Sequence, residues 1–250
     1  METFLIKLGG SVITKKGSQP VHIRVIKRLA LELKGFKEKI ILVHGTGHIG
    51  KPPAIKYGYV KTQSLPKNKA HIALQIRNNI IDLNCALIKC FSEVGIPAVG
   101  IDNTHFLGYL DRGWKSNNIK DLIESLTAQG TIPVFYGNLL PQANGSYKIL
   151  SSDELMLTIA RIVSPDKIIF LSDVDGVFNS KRKLLAVVQK KILKEIMDNP
   201  KDVSGGMKTK VKTALSLRMY CKECYIANGK KKNVLRDILN NENVPGSRIA

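Results

Sequence analysis

What most limits this chain is a rhythm of short, uninterrupted apolar runs separated by amphipathic stretches of helical spacing. FLIKL (4–8), KIILVHG (39–45), IPAVGI (96–101), IPVFYG (132–137), DKIIFLSDVDGVF (166–178) and ECYIANG (223–229) read as strands buried on both faces. Between them, residues 22–35 place Ile23, Ile26, Leu29, Ala30 and Leu33 on one helical face, and 70–94, 118–128, 151–163 and 205–220 follow the same period. NVLRDILN closes the series as a last helix. The Ser-Ser-Asp-Glu opening of the 151–163 stretch suits helix capping. Strands without polar alternation need cover on both faces, which crossover helices supply to parallel sheets. The expectation is therefore an α/β fold, a three-layer α/β/α sandwich around a mostly parallel sheet, as one domain over residues 1–250. No internal repeat, low-complexity segment or linker interrupts it. Residues 51–70, lysine-rich and with three prolines, read as a loop or hairpin inserted after the second strand.

In such sheets ligands bind beyond the carboxyl ends of the strands. The chemically suggestive residues gather there. Lys7 precedes Gly9-Gly10-Ser11, His44 precedes Gly45-Thr46-Gly47, Gly137-Asn138 ends a strand, and Ser172-Asp173 ends another. A glycine pair lets backbone N–H groups approach a phosphate, and Lys7 adds a point charge. No GxxxxGK[ST] sequence occurs. Gly205-Gly206 opens a helix whose first turn carries Lys208 and Lys210; cations there oppose the helix dipole, a cost that a bound polyphosphate offsets. Asp173 and Asp175 could hold Mg²⁺, bond a ribose or orient a lysine. An Asp-Gly turn accounts for Asp175 well and for Asp173 less well.

Composition excludes some classes. With 44% hydrophobic residues the chain fills a core, and no apolar run reaches the ~18 residues of a membrane span. Cys221 and Cys224 form a CxxC without a second pair or a histidine cluster, so reduced cysteines in a cytoplasmic protein are expected, and no structural metal. The net charge of +19 invites a nucleic-acid reading. Yet lysine is dispersed, densest at Lys230–Lys232, and aromatics are only 6% and scattered, so stacking platforms are lacking.

IKLGGSVIT, LVHGTG, GIPAV, PVFYGN, LSSDEL, LSDVDGVF and DVSGGMKTKV stand in the order and spacing of the amino acid kinase superfamily. Over nearly the whole chain the sequence resembles its isopentenyl phosphate kinases and the related fosfomycin kinases. The resemblance implies ATP and Mg²⁺, a small phosphate or phosphonate substrate, isoprenoid biosynthesis and a homodimer, with neither specific nucleic-acid binding nor membrane attachment. It implies catalytic roles for Lys7, Lys16 and Lys210. It places Gly9, Gly10, Ser11, Asp173, Gly206, Lys210 and Asn228 at the nucleotide, in a part spanning 166–250. It places Gly45, Thr46, Gly47, His48, Lys51, Asn138, Ser152 and Asp153 at the acceptor, within residues 1–165.

Three positions depart from the family pattern. Lys51 stands where the family has a phosphate-binding histidine, and Asn138 where an aspartate is common; His48 occupies a position usually small. A phosphate monoester is nearly dianionic at pH 7 and needs cations rather than a base. A neutral alcohol would need a base, for which Asp153 and His48 are the local choices. Other phosphate or phosphonate metabolites and amino-acid carboxylates remain as alternative acceptors. The rival from another class is a non-catalytic sensor or nucleic-acid binder on the same fold.

Overall fold

The structure is a computed structural model that describes residues 1–57, 64–65, 69–102, 117–197, 206–242 and 246–250; the side chains of Lys51, Ser64, Leu65 and Asn117 lie outside that set. Its strands are β1 (Thr3–Leu8), β2 (Lys39–His44), β3 (Ser64–Leu65), β4 (Ala98–Gly100), β5 (Ile132–Tyr136), β6 (Asn138–Pro141), β7 (Tyr147–Leu150), β8 (Lys167–Ser172), β9 (Val187–Val188), β10 (Glu223–Asn228) and β11 (Gly246–Ile249). Its helices are α1 (Gly10–Ile13), α2 (Ile23–Leu33), α3 (Gly47–Lys56), α4 (Ala70–Glu93), α5 (Asn117–Ala128), α6 (Ser152–Val163), α7 (Gly206–Leu217) and α8 (Val234–Leu239).

Eight strands form one sheet in the order β4-β5-β2-β1-β8-β10-β11-β9, and β3, β7 and β6 form a small antiparallel sheet. β4 through β10 run parallel, and β11 lies antiparallel to β10. This is the expected α/β/α sandwich. Strand period separates its two cores. Phe4, Ile6 and Leu8 face the layer of α2, α4 and α8, while Leu5 faces that of α5, α6 and α7. Lys7 shares the face of Leu5, and this single fact aims its ammonium at α6.

Register aligns the carboxyl ends. Leu8 lies level with His44 on one side and Leu171 on the other, and Ser172 with Asn228. α6 starts with the capping box read from its sequence: Ser151 Oγ accepts from the Glu154 amide (3.1 Å) and Glu154 Oε2 from the Ser151 amide (2.8 Å). The four cysteines are free thiols, and Cys221 and Cys224 lie at the amino end of β10, opposite the loops described next. No helix among the described residues is long and apolar enough to cross a membrane.

Several boundaries differ from the sequence reading. The strand expected over 166–178 stops at Ser172, because a turn through Gly176 (φ 153°) carries Asp173 and Asp175 off the sheet. Residues 47–56 are helical where a loop was expected, despite Pro52 and Pro53. Part of the 51–70 insertion does pair as a strand, at Ser64–Leu65 against β7; residues 58–63 and 66–68 lie outside the described set. The β6–β7 hairpin and the edge strands β9 and β11 were not anticipated. They are two to four residues long, too short for a period to register. The helix opening Gly205-Gly206 is described from Gly206 onward, and its last turn is 3₁₀ at Arg218–Tyr220.

Candidate active site at the carboxyl end of the sheet

Lys7 is buried near the end of β1, with its Nζ 5.8 Å from the centre of the Phe170 ring. A desolvated ammonium requires a partner. Asp153 in the first turn of α6 provides it, its Oδ1 accepting from Nζ at 2.6 Å. Asp153 also sits at the N-terminus of α6, where a carboxylate suits the helix dipole. The sequence placed these residues in two separate groups; the fold joins them.

Two glycine loops cross beside this pair. A Cβ on Gly10 would overlap the backbone of Gly47, and one on Gly47 would overlap both Gly10 O and Thr14 Oγ1. Gly47 also has φ 49°. A Cβ on Gly45 would come 2.9 Å from Gly10 N and 3.7 Å from Ser152 Oγ, so the acceptor-side helix begins at the same spot. Thr14 stitches the crossing: its hydroxyl donates to Gly10 O (2.7 Å) and accepts from the His48 amide (2.9 Å). The glycines thus answer first to backbone contact. The Gly9 N–H donates to Leu171 O at 2.9 Å, tying this loop to the end of β8.

The C-terminal rim is built from side chains. Lys210 Nζ donates to Ser172 Oγ at 2.5 Å, which brings α7 over the end of β8. Ser11 Oγ donates to Asp173 Oδ1 at 2.9 Å, tying the first glycine loop to this rim. Asn228 donates to Asp175 (2.8 Å), whose other oxygen pairs with Lys231 (2.8 Å); these two groups hold the carboxyl below its usual range, Lys231 more strongly. Lys230 reaches Asp173 at 3.9 Å. The Lys230–Lys232 run therefore borders the site. Gly206 is buried at the start of α7 with φ 67°.

The remaining expected residues divide. Asn138 is buried and its Oδ1 accepts from the Leu139 amide (2.8 Å), so it is turned to its own backbone. Thr46 and His48 are half-buried at the start of α3. Lys16 is exposed on the turn closed by the Thr14–Val21 bridge, and among the described residues it makes no ion pair with the site. The backbone of Lys51 lies in α3; its side chain is outside the described set.

The sequence marks His44 only as the residue before the second glycine loop, and its own role comes from the fold. It is fully buried at the end of β2, stacked on Tyr136 with centroids 5.3 Å apart, and burial lowers its pKa to about 4. The ring is neutral, with Nδ1 3.2 Å from Gly45 O and Nε2 3.3 Å from the Asn84 amide. Both partners, Gly45 O and Asn84 Oδ1, are acceptors, and the neutral ring has one N–H to give to one of them. His44 thereby links the base of the second glycine loop to α4. A strand-end histidine before a glycine was the available signal. Arg77 on α4 pairs with Asp102 at 3.7 Å beyond β4, another link the sequence did not show.

Among the described residues no group of three or more His, Cys, Asp or Glu side chains gathers as a metal site. At the ends of β1, β8 and β10 the arrangement is one of lysines and hydroxyls, with Asp153, Asp173 and Asp175 beside them, and the lysines suit a polyanion.

Comparison with known proteins agrees with this geometry. Residues 2–228 match the amino acid kinase family. The isopentenyl phosphate kinase of Methanothermobacter thermautotrophicus is 30% identical over 98% of this chain and 98% of its own. That of Methanocaldococcus jannaschii is 28% identical over 98% and 97%. A crystal structure of an isopentenyl phosphate kinase substrate complex superposes with a TM-score of 0.76 at 22% identity, covering both chains completely.

Proposed function

We propose, from the premise that the chain belongs to the amino acid kinase family, that it passes the γ-phosphoryl group of ATP to a small phosphate monoester. Isopentenyl phosphate is the first acceptor, since the relatives named above carry that activity in their names. The observation that carries the reading is the Lys7–Asp153 pair at the crossing of the glycine loops, at the same sheet end as Lys210 and Ser172.

An oxygen of the acceptor phosphate attacks the γ-phosphorus in line. The new P–O bond forms as the bond to the β-phosphate oxygen breaks, and its electron pair leaves with ADP. The acceptor is already ionised, so no base is needed. Two anions must approach, so the work is positioning and charge neutralisation. Lys7 meets the transferred group, oriented by Asp153. Lys210 meets the ATP phosphates, oriented by Ser172, and Lys16 joins from its turn. Gly10 and Ser11 border the phosphates, with Asp173, Gly206 and Asn228 on the nucleotide side, in the part spanning 166–250. The acceptor occupies the part spanning 1–165, bounded by the Gly45–His48 loop, Lys51, Asn138 and Ser152. The described carboxylates do not form a cage, so Mg²⁺ fits as an ion carried by the phosphates, with Asp173 beside it; it would neutralise their charge. The protein acts in the cytoplasm as a homodimer.

A second reading, a different phosphate, phosphonate or carboxylate acceptor, is favoured by one observation. Lys51 puts a permanent, longer-reaching cation where the family pattern has histidine. ADP release with MgATP against isopentenyl phosphate, other small phosphates, phosphonates and amino acids tests both. Saturable turnover with isopentenyl phosphate supports the first reading. Turnover confined to another acceptor supports the second, and none with any acceptor contradicts both.

A further inference from the structure

A pair on α2, half-buried Arg28 and buried Glu32, holds the loop that follows β10, about 200 residues further along the chain. Glu32 is 5% exposed and accepts from the backbone amides of Asn233 (3.0 Å), Leu235 (3.1 Å) and Arg236 (3.5 Å). It therefore caps α8 from another helix. Arg28, one turn earlier, pairs with Glu32 and donates to the carbonyls of Gly229 and Lys231, the latter at 3.0 Å. The opposite end of α8 is held by a buried charge of the opposite sign: Lys167 Nζ donates to Ile238 O (3.1 Å) and Asn241 Oδ1 (2.6 Å). A six-residue helix cannot stand on its own hydrogen bonds. Here an anion at its N-terminus and a cation at its C-terminus match its dipole and fix it.

Arg28 adds something a cap does not need. Its two carbonyl contacts straddle Lys230. The side chains of the same loop turn to the β8 end, where Asn228 and Lys231 meet Asp175 and Lys230 meets Asp173. Gly229 N–H is bonded to Ser172 O at 2.8 Å, next to the partner of Lys210. The rim segment 228–233 is thus held both from α2 and from the residues that end β8.

We infer that Arg28 and Glu32 are positioning residues for the nucleotide: they hold the 229–233 loop, and with it Asn228 and Lys230, in the conformation that receives the nucleoside half of ATP. This rests on the proposed ATP reading. The guanidinium fork supplies geometry that a lysine lacks, because only a planar fork reaches Glu32 and both carbonyls together. Loss of charge-assisted bonds of this kind weakens a site by about tenfold.

The test compares wild type with Arg28→Lys and Glu32→Gln, both of which preserve side-chain size. ATP KM should rise about tenfold in each, with kcat and acceptor KM within about twofold of wild type. A merely structural role would lower the active fraction and leave ATP KM alone; that result overturns the inference. Amide exchange on the unmodified protein gives a readout that needs no variant. The amides of Asn233, Leu235 and Arg236 should exchange slowly and be slowed further by a non-hydrolysable ATP analogue. Protection unchanged by the analogue, when the analogue does bind, overturns the inference alone. Failure of the wild type to bind it at all overturns the ATP reading on which the inference stands.

Discussion

Around Lys7 the chain is held by backbone against backbone; around Asp173 it is held by side chain against side chain. At the first place two glycine loops touch so closely that neither Gly10 nor Gly47 can carry a Cβ, and the one ion pair has a buried lysine. At the second, Asp173, Asp175, Lys230 and Lys231 are each more than a third exposed at the side chain. The difference matters because position is set by different forces. Steric contact does not weaken with salt and does not relax, whereas exposed pairs are screened and exchange partners readily. A reaction that brings together two polyanions needs its transfer point fixed. The rim that binds and releases a nucleotide combines adjustable side-chain pairs with a loop backbone held from α2.

Four changes break or sharpen this contrast. Lys7→Ala should have the largest effect, lowering kcat by on the order of a hundredfold to a thousandfold, with a thermal unfolding curve close to that of wild type. Near-normal kcat would remove Lys7 from the chemistry. Gly47→Ala follows. Overlap with Gly10 and Thr14 together with a positive φ should cost about 3 kcal/mol in urea unfolding, and an unchanged midpoint would show that the crossing is looser than described.

His44 tests the buried side by pH. Its folded pKa, about 4, lies below the 6.5 of an unperturbed histidine. The unfolded chain therefore takes up the proton first, and stability falls as pH drops from 6.5 towards 4, then levels. The full span corresponds to about 3 kcal/mol. Urea midpoints at pH 7 and pH 4.5 should converge in His44→Gln relative to wild type; equal slopes in both would contradict the burial. The smallest effect belongs to Lys231→Ala. Its pair with Asp175 is exposed, so ATP KM should change by less than about threefold, and a tenfold change would erase the distinction between the two regions.

Much of this architecture is visible in the sequence. Continuous apolar strands can be covered on both faces only by helices, and that fixed the sheet class. The capping box at Ser151 and Glu154 is a local pattern, so it was readable too. The crossing of Gly10 with Gly47 was not, because glycine spacing reports conformational freedom without saying whether a ligand or another strand approaches. The pairing of Lys7 with Asp153, 146 residues apart, depends on the face on which Lys7 lands and on which helix covers it. Arg28 and Glu32 show an i,i+4 pattern that reads as an ordinary surface pair; only the fold reveals that α8 closes over it. Residues in short hairpins, such as Asn138, left no period to read.

The central claim is that a phosphate monoester receives the γ-phosphoryl group at the Lys7 end of the site. Phosphorus NMR of the products formed from MgATP and isopentenyl phosphate tests it most directly. The account predicts the paired resonances of a new diphosphate, appearing in step with ADP and absent with Lys7→Ala. ADP accompanied only by inorganic phosphate, or an unchanged isopentenyl phosphate signal beside rapid turnover of another acceptor, would contradict it.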